Sequence, residues 1–142
     1  MKTEREIKLE WLSRSEPLRL RLIGLRAERM ERLSRADYGG IRYGDRTGGR
    51  SGNGIEQKYA ALAETDAEIT ELQRELDRIE AEIRAAIDEI KNPLYQTYLR
   101  MRFLAYKTER QIAFETNYSP GYIGSVVRKK SIDSVKIPAN TR

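Results

Sequence analysis

The side chains best equipped for chemistry in this sequence are cations and hydroxyls gathered near its end. Lys107, Arg110, Arg128, Lys129 and Lys130 surround Ser119, Tyr122 and Ser125, and Thr108, Gln111, Pro120 and Gly121 complete the candidate set. Their chemistry is recognition of a polyanion: basic groups neutralise phosphates, and Tyr122 and Ser125 offer hydrogen bonds to base edges. Covalent chemistry has little to work with. The chain has no Cys and no His. That excludes disulfides, thiolate or imidazole zinc sites, cysteine nucleophiles and every triad built on an imidazole base. Catalysis by carboxylates alone is formally open, but no arrangement argues for it. The expectation is a protein that is not an enzyme and holds no cofactor or metal.

Three short helices must position this set. Asn92-Pro93 is a cap followed by proline at the first helical position. Leu94, Tyr98, Met101 and Ala105 share one face of the helix that follows, with Leu104 beside them, and Tyr106-Lys107 ends it. Thr108-Glu109-Arg110-Gln111 has capping-box spacing and opens a helix through Glu115. Asn117 tolerates left-handed backbone, and Ser119-Pro120 starts a third helix running to Lys130. A helix-turn-helix makes matching demands. Ile112 belongs in the core, and the small Ala113 belongs where the helices cross. Asn117 supplies the turn, Tyr118 is buried, and Ile123 and Val126 face inward. Thr116 departs, since a larger apolar residue is usual there. The exposed face is then Ser119, Gly121, Tyr122, Ser125, Arg128 and Lys129. Lys and Arg also collect at the carboxyl end of any helix. The register and the local charge favour DNA over that simpler explanation. Gly121 and Gly124 lower helix propensity and offer no side chains for readout, so discrimination leans on DNA shape or is modest.

The rest of the chain has to carry this head. Its 142 residues are 35% charged and 39% hydrophobic, the size of one domain or a small module on an extended arm. Charge is segregated: 13 basic against 8 acidic side chains in residues 1–54, 4 against 11 in 55–90, and 10 against 3 in 91–142. Between them, Ile55, Leu62, Ile69, Leu76, Ile83 and Ile90 recur every seven residues, with Leu72, Ile79 and Ala86 as a second row. This predicts one long helix ending at Lys91, roughly 50 Å at 1.5 Å per residue, whose stripe needs a partner helix. Upstream, Thr3-Glu4-Arg5-Glu6 has capping-box spacing, and Ile7, Trp11, Leu18, Leu22, Leu25 and Leu33 follow helical periodicity. Pro17 marks either a break after Ser13 or a kink. In a fold-back the arginines of this segment face the acidic second helix. The connection, 37–54, holds seven of the ten glycines and reads as a flexible linker. Arg42, Arg46 and Arg50 could make it a phosphate-binding loop, but the glycine spacing matches no phosphate cradle, and a nucleotide site is rejected. Trp11 and Tyr59 are expected in the core or at an interface. The fold class expected is all-α: a long antiparallel helical hairpin, or coiled coil, over 1–91, a three-helix head over 92–130 and a tail over 131–142 that frays after a last turn containing Ile132 and Val135. Since a two-helix hairpin covers its seam poorly, a homodimer is expected. No stretch approaches the ~20 apolar residues of a bilayer span, and no targeting segment is visible, which makes the cytoplasm the expected location.

The stretches Leu99-Arg100-Met101-Arg102-Phe103-Leu104, Lys107-Thr108-Glu109-Arg110-Gln111-Ile112-Ala113 and Tyr118-Ser119 resemble the last domain of the sigma-factor family. The whole arrangement also resembles small phage proteins in which that domain follows a coiled-coil hairpin, among them late-gene transcription activators of the RinA and ArpU type. The resemblance implies binding to double-stranded phage promoter DNA through Ser119 to Ser125, with possible contact to host RNA polymerase. Primary sigma factors are rich in Arg and Glu where this chain has Pro120, Gly121 and Tyr122, and the promoter-melting region is missing. Two other classes stay open: a phage small terminase subunit, which usually places its DNA-binding part first, and an adaptor that contacts polymerase without touching DNA.

Overall fold

The computed structural model describes residues 1–41 and 51–139, and these contain helices and no strand. Thr3 opens α1 (Glu4–Leu12) through a complete capping box with Glu6. The helix breaks at Ser13 and Arg14 and resumes at Ser15, so Pro17 lies in the first turn of α2 (Ser15–Ile41), where its missing N–H costs nothing. Next comes α3 (Ser51–Asp88), ending three residues before Lys91 as the Ile90 amide tightens onto the Ile87 carbonyl at 3.0 Å. The helical backbone thus enters the expected linker from both sides; its residues 42–50, with Arg42, Arg46 and Arg50, lie outside the described residues.

Asn92 caps α4 (Pro93–Leu99) by accepting from the amides of Leu94 and Tyr95, and α4 continues as a π-helical turn, Arg100–Leu104. Then follow α5 (Glu109–Thr116), α6 (Pro120–Tyr122), a second π-helical turn (Ile123–Val127) and α7 (Arg128–Asp133). The backbone stays right-handed helical from α6 through both junctions, so residues 120–133 form one continuous rod.

The chain divides into two compact units: residues 18–75, and residues 1–17 with 76–142. These limits differ from a division at Lys91. In the first unit Leu22, Leu62 and Leu72 are buried. Arg26 donates to Gln73 at 2.5 Å, Arg29 pairs with Asp66, and Arg32 reaches Thr65 at 3.5 Å. Partner numbers on α3 fall as those on α2 rise, and these arginines do meet the acidic helix. Thr65 stands in the second heptad row and is buried because its hydroxyl donates to the Ala61 carbonyl at 3.0 Å. Tyr59 is 51% exposed, contrary to a core placement; Trp11 is buried.

The larger unit takes its core from five places. The end of α3 gives Leu76, Ile79, Ile83, Ala86, Ile87 and Ile90, and α1 adds Trp11 and Leu12. Arg14 stacks 4.7 Å over the Trp11 ring and pairs with Glu82 at 2.9 Å. From α4 and its π-helical turn come Tyr98, as expected, with Leu99 and Phe103. Leu94 is only half-buried at the helix start, and Met101 and Leu104 are half-buried and Ala105 exposed where five-residue bonding from Ala105 back to Arg100 rotates the last turn. Ile112 and Ala113 follow from α5, and the rod adds Ile123, Val127, Ser131 and Ile132, with Val135 just beyond. The last turn expected to contain Ile132 and Val135 is therefore part of the core. It is also held from α1: Arg5 makes a two-point contact with Asp133 at 2.9 and 2.7 Å, and Lys8 donates to the Asp133 carbonyl at 2.8 Å. The Arg5 hydrogen bond holds the Asp133 carboxyl below the usual carboxylate range. Since Ile132 is fully buried, Ile132→Ala should cost about 2–5 kcal/mol in a urea unfolding transition. A loss below ~0.5 kcal/mol, the level of a neutral surface change, would show that residues 131–135 lie outside the core.

Candidate nucleic-acid interface

The candidate residues divide by what their side chains are already doing. Thr108 caps α5: its hydroxyl accepts from the Gln111 amide at 3.2 Å, while Gln111 Oε1 accepts from the Thr108 amide at 2.9 Å. Both hold the helix start, which leaves them little freedom to bind elsewhere. Lys107 is also committed, its Nζ lying 2.7 Å from both carboxylate oxygens of Glu115. By contrast Arg110, Lys129 and Lys130 are exposed and make no ion pair among the described residues.

The turn between α5 and α6 is built as the sequence demands. Asn117 takes left-handed backbone at φ 62°, and its amide returns to the Ala113 carbonyl. Ser119 then caps α6, accepting from the Tyr122 amide at 3.1 Å, and Pro120 fills the first helical position. Thr116, the unexpected polar residue, satisfies itself by donating to the Ile112 carbonyl at 2.7 Å.

Two side chains depart from expectation. Tyr118, expected in the core, is 45% exposed: lying between the left-handed Asn117 and the Ser119 cap, it turns outward and stacks on Tyr122 at 5.5 Å between ring centroids. Val126, expected inward, is only half-buried, and Val127 is fully buried in its place. The π-helical turn is the cause. Closing five-residue rings from Arg128 back to Ile123 widens the helix, so the inward position recurs four residues after Ile123 instead of three. The same rotation draws Arg128 half under the surface, beside Tyr98 and Arg102, whereas Ser119, Pro120, Gly121, Tyr122, Ser125, Lys129 and Lys130 remain outside.

The two glycines of the rod differ in meaning. A Cβ at Gly124 would come within 3.4 Å of Glu109 Oε2, so this glycine leaves room for a buried carboxylate oxygen that has no hydrogen-bond partner. A Cβ at Gly121 would meet nothing within 4 Å, and neither glycine has positive φ. The fold does not require glycine at 121. Phe114 carried no expectation from the sequence: it is 84% exposed on α5, and together with Tyr118, Arg110 and Pro120 it lines a shallow surface hollow. Its signal was a large apolar residue off the Ile112 face of α5.

Among the described residues no group of His, Cys, Asp and Glu could hold a metal ion, and no helix is long and apolar enough to cross a membrane. No family model matches the sequence, and no curated protein or solved structure matches it.

Under the exposed surface lie two unusual phenols. Burial pushes Tyr98 up to about 12, with Glu109 adding to the effect. Burial also pushes Tyr106 up to about 12, reinforced by its hydrogen bond to Glu80 at 2.5 Å. Unfolded tyrosine ionises near pH ~10, so between about 10 and 12 the unfolded chain releases protons that the native state keeps. The stability contributed by these phenols is intact below pH ~10 and is lost as pH rises towards 12. A tyrosinate absorbance titration should show two of the eight tyrosines ionising late, with Tyr98→Phe and Tyr106→Phe each removing one. Ionisation of all eight in one step near the ordinary value would contradict it.

Proposed function

We propose that the chain is a non-catalytic, sequence-specific DNA-binding regulator of the phage type. In this reading an antiparallel helical hairpin carries a sigma-like helix-turn-helix head, reads double-stranded DNA with residues 119–130 and self-associates through the hairpin. The observation that supports it best is where uncommitted cations gather. Exposed cations without an acidic partner among the described residues, such as Arg21, Lys58, Arg84 and Lys91, occur along the chain, but Arg110, Lys129 and Lys130 lie together beside the rod. Free cations beside the exposed hydroxyls of Ser125 and of Tyr122, whose ring stacks on Tyr118, and an unhindered Gly121 suit a groove: phosphates are neutralised, base edges are reachable, and the backbone can approach closely.

Phe114 favours a second contact alongside the first. A phenyl ring 84% exposed on α5 has no use in phosphate binding and fits an apolar protein surface, RNA polymerase being the partner expected of a regulator.

Selection of bound fragments from random DNA by the full-length protein, at two salt concentrations, tests the reading. The expected result is a motif with two-fold symmetry. Replacing Lys129 and Lys130 together by Glu should abolish retention at low salt, and replacing them by Gln should lower the salt slope by about 2. Gly121→Ala should raise stability by up to about 1 kcal/mol and yet weaken binding to the selected site. A salt-sensitive pool without any motif would reduce the protein to a non-specific binder. Light scattering should give a dimer, and a ring of many subunits would point to a small terminase instead.

A further inference from the structure

The unit formed by residues 1–17 and 76–142 has a half-open cavity of about 260 Å³ that the proposed DNA contact does not use. Leu12 and Phe103 give it an apolar wall, and Tyr98, Arg102 and Arg128 give it a polar one. Three features of the polar wall point towards a ligand. First, neither Arg102 nor Arg128 has a carboxylate partner among the described residues, and Arg102 lies 5.8 Å over the Phe103 ring instead. Second, the Tyr98 side chain is almost fully buried, and its hydroxyl makes no hydrogen bond, although the Arg102 guanidinium approaches it. A buried donor without a partner is costly and calls for an acceptor. Third, Tyr106 lines the same cavity from left-handed backbone at φ 59°, a conformation strained for a bulky residue and concentrated at ligand sites.

Charge narrows the class of ligand. Glu16 is the one carboxylate in the lining and Glu109 acts on the Tyr98 phenol, but neither pairs with Arg102 or Arg128, and these two unpaired guanidiniums favour an anion. Guanidinium groups bind planar or tetrahedral oxyanions through paired hydrogen bonds, and the Tyr98 hydroxyl stays protonated as a third donor at neutral pH. The apolar wall accommodates a short hydrocarbon body. We propose that this cavity is a binding site for a small organic oxyanion, its carboxylate or phosphoryl head held by Arg102, Arg128 and the Tyr98 hydroxyl. The site does not depend on the DNA reading and stands or falls separately from it.

Inorganic phosphate and acetate are the probes, each titrated into the full-length protein at ionic strength matched with sodium chloride while the arginine Nε–H signals are followed by NMR. Saturable shifts at Arg102 and Arg128 are expected, and the stronger of the two anions identifies the head group. Arg102→Gln and Tyr98→Phe should each weaken binding about tenfold or more, as expected for charged or buried hydrogen bonds. Replacing Lys129 and Lys130 by Gln should leave it unchanged. Tyr98→Phe retains the packed ring and Arg102→Gln alters an exposed side chain, so both variants should keep the wild-type circular dichroism spectrum. Shifts no larger than those from chloride alone would overturn the proposal. So would equal binding by the wild type and the cavity variants, which would assign the anion to the basic surface.

Discussion

Which side of the rod 120–133 turns inward depends on a widened helical turn clamped between two fixed points. At one end Asn117 and the Ser119 cap set where the rod begins and in which direction it leaves α5. At the other, Ile132 and Val135 are fully buried, and Asp133 is tied to Arg5 and Lys8. A regular helix of 3.6 residues per turn would not bring Ile123, Val127 and Ile132 onto one stripe without drift. The π-helical turn adds the extra residue that closes the mismatch. Burial of that stripe leaves Tyr122, Ser125 and Lys129 outside, so the candidate interface is a consequence of core packing.

The same rotation explains why the basic residues at the end of the rod are unequal. Lys129 and Lys130 project into solvent, where long side chains cost little to orient and their charge acts through water. Arg128, their neighbour, is half-buried beside Tyr98, and its charge acts on that phenol at close range. In a medium of lower dielectric such an interaction is stronger, and an unpaired guanidinium there is more costly. Three adjacent cations in the sequence therefore fall into two electrostatic environments.

Signals that depend on a single turn of chain were legible in the sequence. Thr3, Asn92, Thr108 and Ser119 cap helices as their spacing required, Asn117 is left-handed, and the heptad row is buried at Leu62, Leu76, Ile83 and Ile90. Each of these follows from backbone hydrogen bonding or from one helical period. Signals that depend on counting through several turns were not legible. Assuming 3.6 residues per turn placed Val126 and Ala105 inward, and both π-helical turns shift those positions by one residue or more. No local residue type announces a π-helical turn, since its cost is met by packing elsewhere in the unit. Tyr118 differs for a related reason: the helix-turn-helix register calls for a buried residue after the turn, whereas here the left-handed Asn117 and the Ser119 cap flank a side chain that turns outward onto Tyr122. The last turn with Ile132 and Val135 was legible, but its tie to α1 was not, because Arg5 and Lys8 lie more than 120 residues away in sequence.

Arg128 links the inner cavity to the outer face. A side chain that lines the cavity beside Tyr98 cannot at the same time extend to a phosphate on the far side of the rod, because the π-helical turn has set its direction. On the proposed DNA reading, phosphate contacts would then rest on Lys129, Lys130 and Arg110, which are exposed and have no ion pair among the described residues. Removing the widened turn would return Val126 to the core and Arg128 to the surface, gaining one cation for the outer face and losing one for the cavity.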